Sequence, residues 1–408
     1  MVSESVMQLS VMLESLLENE DFISEELECY FLEALYCSLG ASLLDKGRQK
    51  FDELIKKLSS LNGVHDEKVL AGPGQIPVPT VDTTRANWLL EQMVKVKRPV
   101  VLVGESGTSK TATIQNFLSN LNTDTTIMMI INFSSRTTSM DLQRTLEASV
   151  EKRTKDTYGP PMGKRLLVFM DDLNMPRVDE YGTQQPIALL KLLLDRGGMY
   201  DRGKELNYKL IKDLGFIAAM GKAGGGRNEV DPRFISLFSV FNIPFPQEES
   251  LHLIYCSILK GHTKSFEECI QNICDKLTFC TLELYKTIIK DLPPTPSKFH
   301  YIFNLRDLSR VYHGLTLTNP ERFCTVTQFV RVWRNECLRV FHDRLINETD
   351  KITVQGHIKN LIEEHFRSDL DSAMRDPILF GDYRTALKSE PRVHEDILDY
   401  DASKALFQ

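Results

Sequence analysis

The chain has 408 residues, 26% charged and 42% hydrophobic. At roughly 100 to 200 residues per domain this is enough for two or three domains with proper cores, and it excludes both disorder and a collagen-like repeat. With 49 Lys and Arg against 56 Asp and Glu the formal net charge is -7, so no global positive field exists to hold nucleic acid or an anionic membrane. A polyanion has to bind at a local site.

The apolar opening from Val6 to Leu17 is interrupted by Glu14 and preceded by Glu4, which predicts an amphipathic helix and not a signal peptide. No window offers the ~18 uninterrupted apolar residues of a transmembrane helix. Apolar positions then recur at helical spacing, as in Leu27, Phe31, Leu35, Leu39 and again Phe51, Leu54, Ile55, Leu58, so residues 1–72 read as a helical lead-in. The stretch Gly72-Pro-Gly-Gln-Ile-Pro-Val-Pro79 cannot continue a helix and marks a domain boundary. Beyond it Pro99 to Val103, Thr126 to Ile131, Leu166 to Met170, Gly215 to Ala219 and Leu237 to Phe241 are short apolar runs between longer amphipathic segments. Continuous apolar strands alternating with helices predict a parallel sheet covered on both faces, an α/β domain over 73–246. Helical spacing returns in Leu251, Ile254, Ile258 and in Ile273, Leu277, Leu282, Tyr285, giving a small helical domain over 247–346. Residues 347–408 read as one helix followed by an irregular acidic linker. The eight cysteines include no CxxC pair, which disfavours a zinc site and a disulfide framework and points to buried thiols in a reducing, intracellular compartment.

Three signals carry chemistry. Directly after the first strand stands Gly104-Glu-Ser-Gly-Thr-Ser-Lys110-Thr111, with a helical segment behind it. A phosphate-binding loop needs inward backbone amides at a helix N-terminus, an ammonium for the β and γ phosphates and a hydroxyl for magnesium. Gly104, Glu105, Ser106, Gly107, Thr108 and Ser109 form the cradle, and Lys110 and Thr111 supply the last two groups. Ser109 occupies the place of the usual last glycine and is expected to tolerate a helical backbone there. The bland reading is a Gly/Ser turn before a helix.

The second signal is Leu166-Leu-Val-Phe-Met-Asp171-Asp172, a buried strand ending in two acids. Asp171 is placed to hold magnesium through water and Asp172 to orient an attacking water, although Asp172 is one methylene shorter than the usual Glu. Two acids capping the next helix is the alternative. Third, Arg306 begins a helix of the small domain, where it could reach the γ phosphate, and Arg233 in Asp231-Pro-Arg-Phe234 lies just before the last strand, on a side that would face a neighbour. Either could be an ordinary surface ion-pair partner, Arg233 with Asp231 or Glu229.

Together these features resemble the AAA+ class of P-loop NTPases, a five-stranded parallel sheet between helices with a helical lid. The strings Val103-Gly-Glu-Ser-Gly-Thr-Ser-Lys-Thr-Ala112, Asn132-Phe-Ser-Ser-Arg-Thr-Thr-Ser139, Met170-Asp-Asp-Leu-Asn-Met-Pro-Arg-Val-Asp-Glu-Tyr-Gly-Thr-Gln-Gln-Pro186 and Trp333-Arg-Asn-Glu-Cys-Leu-Arg-Val-Phe-His-Asp-Arg344 are similar to the third AAA+ module of axonemal dynein heavy chains. Residues 1–72 resemble the end of the preceding module and the tail around Arg375-Asp-Pro-Ile-Leu-Phe-Gly-Asp-Tyr383 the approach to the fourth. Because family members are many times longer, the chain is expected to be a fragment or a truncated gene prediction. Three departures stand out: a tract normally found before Thr80 is missing, which implies an incompletely built base-binding edge near Val81 to Arg85; the fourth strand ends Ala218-Ala-Met-Gly221 without a polar sensor; and Asp172 replaces Glu.

The resemblance implies a regulatory module that binds ATP or ADP with Mg2+, hydrolyses slowly, and gates the ring of a microtubule motor driving ciliary or flagellar beating. Thr111 and Asp171 are then the metal-holding residues, Asp172, Arg306 and Arg233 the catalytic ones, with Arg233 completing the site of the preceding module. The implied partners are the neighbouring AAA+ modules, dynein intermediate and light chains, and microtubules, with no nucleic acid and no membrane. The implied location is cytoplasm, cytoskeleton and ciliary axoneme. The alternatives are an independent AAA+ ATPase and a structural ring segment with an empty site.

Overall fold

The computed structural model describes residues 2–17, 24–41, 43, 45–59, 78–203, 205–224, 226–382 and 394–397. The expected break at Gly72 to Pro79 and the join at Gln75 lie outside these residues, apart from Val78 and Pro79. The chain divides into two compact units, one built mainly from residues up to Phe245 and one from Pro246 onward.

The first unit opens with three helices, α1 (Val2–Leu16), α2 (Ser24–Leu35, continued by a π-helical turn Tyr36–Gly40) and α3 (Asp45–Leu58), followed by α4 (Val81–Lys95). Then come β1 (Val100–Val103), α5 (Lys110–Ser119), β2 (Thr126–Asn132), α6 (Ser139–Glu147), β3 (Glu151–Lys152), β4 (Thr157–Gly159), β5 (Arg165–Asp171), α7 (Gln185–Arg196), β6 (Gly198–Tyr200), β7 (Tyr208–Ile211), β8 (Leu214–Met220), α8 (Pro232–Ile235) and β9 (Ser239–Asn242). The five expected strands form one sheet in the order β2-β5-β8-β1-β9, and every pairing in it is parallel.

Two cores lie on the sheet's two faces because alternate residues of a strand point opposite ways. Val101, Val168, Met170 and Ala218 pack with α6 and α7, and Val100, Leu102, Phe169 and Ala219 pack with α4 and α5. The apolar runs of β1, β5 and β8 are thereby accounted for, since these strands are covered on both sides. β2 is different: it is an edge strand, and Met128 and Ile130 are 38% and 49% exposed. Cover on both faces therefore holds for the middle of the sheet and lapses at this edge.

The opposite edge is closed by the lead-in. Met12, Ala34, Cys37 and Ala41 join the core beneath α4 and β1. Gln8 hydrogen-bonds to both backbone groups of Val240, the N–H of Asn242 donates to Ala41 O at 3.3 Å, and Arg48 donates to Asn242 O at 2.8 Å. An exposed strand edge is a template for unwanted pairing, and here side chains and a loop carbonyl satisfy it. In the same setting burial pushes the Cys37 thiol up to about 12, as expected for a structural cysteine.

A second sheet, in the order β3-β4-β7-β6, is built from the α6–β5 and α7–β8 connections. No apolar run announced it, because its strands are two to four residues long and β3 is two exposed charged residues.

The second unit is helical: α9 (Glu248–Thr263), α10 (Glu268–Gln271), α11 (Cys274–Asp291), α12 (Leu305–Leu315), α13 (Val326–Cys337), α14 (Glu348–His365) and α15 (Leu370–Ala373), with a short ribbon of β10 (Phe380–Gly381) and β11 (Glu395–Asp396). Its core holds Tyr301, Tyr312, Phe329, Trp333 and Phe341, each essentially inaccessible, and such burial stabilises by on the order of 2–3 kcal/mol per side chain. The Trp333 indole N–H donates to Thr281 Oγ1 at 2.8 Å, so its polar atom is satisfied as well. All eight cysteines are free thiols. No helix among the described residues is long and apolar enough to cross a membrane.

Candidate functional site

The site forms where β1 meets α5. Gly104 leaves the strand with its N–H on Met220 O at 3.3 Å, and a Cβ there would come within 2.5 Å of Ile243 O, so this position requires glycine. Gly107 turns at φ 85° and Thr108 Oγ1 donates to Glu105 O at 3.0 Å, curling the backbone into a ring. Ser109 stands at φ 61°, ψ 12°, which corrects the expectation of a helical backbone: it adopts the left-handed conformation that glycine takes freely. The reason is the tightness of the loop, which reverses immediately before α5 starts at Lys110. Ser109→Gly is accordingly expected to raise stability by about 1 kcal/mol at most, read as a higher unfolding midpoint. A fall in thermal denaturation would mean that the hydroxyl holds the loop.

Lys110 Nζ donates to Gly104 O at 3.0 Å, Glu105 O at 2.6 Å and Thr108 Oγ1 at 3.1 Å, so the ammonium sits over the ring of the loop. The first amides of the ten-residue helix α5 face the same space with the positive end of its dipole. Two strands away, Asp171 ends β5, and its Oδ2 accepts from Thr111 Oγ1 at 2.9 Å. The hydroxyl of the loop and the acid of the strand end are thus in direct contact, although 60 residues apart.

Asp172 follows in a left-handed conformation, φ 51°, and its own N–H returns to Asp171 Oδ1 at 3.0 Å. It does not cap the next helix, because α7 begins at Gln185 with Gln184 at its N-cap. Its partner is Arg227, whose Nη2 lies 3.5 Å from Asp172 Oδ1.

Arg227 closes a glycine-rich loop, Gly221 to Arg227, that leaves the end of β8. The same loop carries Lys222, paired with Glu105 of the phosphate loop at 3.0 Å. Asn174, buried behind the acids, donates to Gly221 O at 2.8 Å and fixes the start of the loop. Asn174, Lys222 and Arg227 escaped the sequence reading. The signal available was a cation at each end of a glycine run directly after a strand that lacks a polar sensor.

Arg233 lies on the short helix α8, whose N-cap is Asp231. One oxygen of Asp231 accepts the Arg233 backbone N–H at 2.9 Å and the other pairs with Lys191 at 3.0 Å. That N–H, then the Lys191 ammonium, hold the Asp231 carboxyl below the usual range. Among the described residues neither Asp231 nor Glu229 forms an ion pair with the Arg233 guanidinium, which is exposed beside a groove lined by Gln184, Ile187, Lys191 and Asp195. Arg306 is the second residue of α12 in the other unit, exposed, with its N–H capped by Asn304 Oδ1 at 2.8 Å. The structure therefore brings Gly104 to Thr111, Asp171 and Asp172 together, shows Arg233 in no hydrogen bond or ion pair with them among the described residues, and sets Arg306 in the other unit.

An ammonium, a ring of loop amides and a touching hydroxyl–carboxylate pair are the donor set that a magnesium-bound polyphosphate takes. Among the described residues one further cluster has metal-ligand character, His252, Cys256 and Asp275. It is already closed by Lys260, paired with Asp275 at 2.6 Å, and by the Cys256 thiol, which donates to Asp275 at 3.0 Å and is pushed up to about 12 by burial and then by that carboxylate. It is a structural ion pair.

Residues 47–246 match the family described as the P-loop containing dynein motor region, and 254–351 match the dynein heavy chain ATPase lid domain. The chain is similar to the human dynein axonemal heavy chain 10, 68% identical over 99% of this chain and 10% of that protein. It is 47% identical to the dynein-1-alpha heavy chain of the flagellar inner arm I1 complex from Chlamydomonas reinhardtii, over 94% of this chain and 9% of the relative. Human dynein axonemal heavy chain 2 is 35% identical over 96% and 9%. The chain spans about a tenth of the length of these relatives.

Proposed function

The chain belongs to the dynein heavy chain family, and from that premise we propose that it is the third AAA+ module of an axonemal heavy chain, a regulatory site that binds ATP or ADP with Mg2+. Nucleotide occupancy then gates the ring of a microtubule motor that drives ciliary or flagellar beating in the axoneme. Its partners are the adjoining modules of the same chain, and, through the whole motor, intermediate and light chains and microtubules. Similarity to dynein heavy chains runs along nearly the full chain, and nothing comparable favours an independent ATPase. Residues 1–72 would end the preceding module and 347–408 lead to the next. The match with the human relative covers 444 alignment positions against 408 residues here, which accords with a tract missing from this chain.

The observation that carries the reading is the Thr111–Asp171 hydrogen bond at 2.9 Å, which joins the two groups expected to hold magnesium. Bound there, the metal would supply positive charge to the phosphates. Lys110 would bind the β and γ phosphates, and Glu105 to Ser109 would donate their amides. Asp172 would orient the attacking water at low efficiency, since its side chain is one methylene short and a misplacement of about 1 Å can cost on the order of 100-fold. Arg306 would act from the lid.

Mass spectrometry of the denatured, purified chain tests the reading: co-purifying ADP or ATP is expected, and a nucleotide-free chain that takes up neither on titration would leave a structural ring segment. The rate is tested separately. In the heavy chain with its neighbouring modules, Asp172→Glu is expected to raise hydrolysis or leave it unchanged, and Asp172→Asn to lower it severalfold with ATP binding retained. An Asn variant as fast as the parent would remove Asp172 from the chemistry.

A further inference from the structure

A guanidinium beside the second acid of the site has almost nothing to bind. Arg227 Nη2 is 3.5 Å from Asp172 Oδ1, at the outer limit of a hydrogen bond, and its buried Nε has no hydrogen-bond partner among the described residues. Burying part of a cation with a donor left over is costly, and native proteins keep such an arrangement rarely. The protein nevertheless makes room for it: a Cβ at Gly221 would stand 2.7 to 2.8 Å from the Arg227 guanidinium, and Gly224 and Gly226 turn at φ 113° and 87° to bring the arginine back.

Its position is fixed from three sides. Gly221 follows Met220, whose carbonyl holds the first amide of the phosphate loop. Lys222, on the same loop, holds Glu105. Asp172 follows Asp171, which holds Thr111. The guanidinium therefore stands beside Asp172, on a loop that Lys222 ties to the phosphate loop, after a strand end where Ala218, Ala219 and Met220 offer no polar side chain.

We propose that Arg227 is the residue by which this site tells a nucleoside triphosphate from a diphosphate, through an exchange of partners. Without a terminal phosphate the guanidinium holds Asp172. With one, it turns to the phosphate, a stronger and bidentate acceptor, and releases the carboxylate to the attacking water. The proposal rests on the nucleotide-binding reading above.

The test is a set of dissociation constants of the full chain for Mg-ADP and for a non-hydrolysable Mg-ATP analogue, with thermal denaturation as a check on folding. Arg227→Gln is expected to weaken the triphosphate at least about fivefold and the diphosphate less than about twofold, with Arg227→Lys restoring part of the difference. Asp172→Asn, which removes the resting partner, is expected to bind the triphosphate tighter than the parent. Equal changes for both nucleotides in Arg227→Gln, or an Asp172→Asn chain that binds triphosphate no tighter, overturns the proposal while leaving the site intact. Lys110→Ala, measured alongside, separates the two failures: if it loses neither nucleotide, the binding reading itself falls and takes the proposal with it.

Discussion

Lys110→Ala is expected to weaken ATP binding about 100-fold, roughly 2.7 kcal/mol, with the melting temperature little changed. Lys110 provides an ammonium over the backbone of the phosphate loop, with hydrogen bonds to three of its oxygens. Attraction between an ammonium and a triphosphate in a partly desolvated pocket greatly exceeds that at an open surface. The three loop contacts complicate the result, because alanine also removes a brace. Lys110→Arg keeps the charge but brings a planar group in place of a compact one, and is expected to fall between parent and alanine. Fluorescence titration with a labelled nucleotide decides: unchanged affinity in the alanine variant would withdraw the phosphate-loop assignment of Gly104 to Thr111.

Arg233→Ala in the whole heavy chain is expected to act on the preceding module and leave its own site alone. An arginine supplied in trans to a phosphoryl group can be worth ~1,000-fold, and a loss of up to that order is expected in hydrolysis at the neighbouring site, or in its retained ATP if that site only holds nucleotide. Asp231 pairs with Lys191 and accepts the Arg233 backbone N–H, so the neighbouring acid is already engaged. Site-by-site nucleotide retention and motor ATPase form the measurement. A loss confined to the Lys110 site would place Arg233 in cis, and no loss at either site would make it an ordinary surface cation. Lys191→Met is expected to show a weaker form of the same defect, because it frees Asp231 to recapture the arginine.

The sheet could be read from the chain because β1, β5 and β8 are buried on both faces, which forces unbroken apolar runs such as Val100 to Val103. The phosphate loop and the acids were legible for a different reason: their chemistry prescribes residue types in a short window. What escaped depends on distance along the chain. β4 pairs with β7 across some 50 residues, and neither carries a pattern of its own. The left-handed Ser109 follows from closure of a ring whose tightness no local propensity records. Arg227 is one arginine after three glycines until Gly221, Asn174 and Asp172 are seen around it. The amphipathic character of α1 and α2 was plain, yet the surface they cover was not, and they proved to belong to the same unit as β9.

That last attachment bears on how the nucleotide unit can be cut out and handled. A recombinant version begun at Val81, where the break in the sequence invites the scissors, would strip Gln8, Ala41 and Arg48 from β9 and uncover the apolar underside of α4. The resulting ribbon edge lies next to β1, which ends in the phosphate loop, so self-association and a slackened loop would arrive together. The same clasp ties α1, through Gln8, to the strand paired with β1, so the helix and the strand that runs into Gly104 share one anchorage.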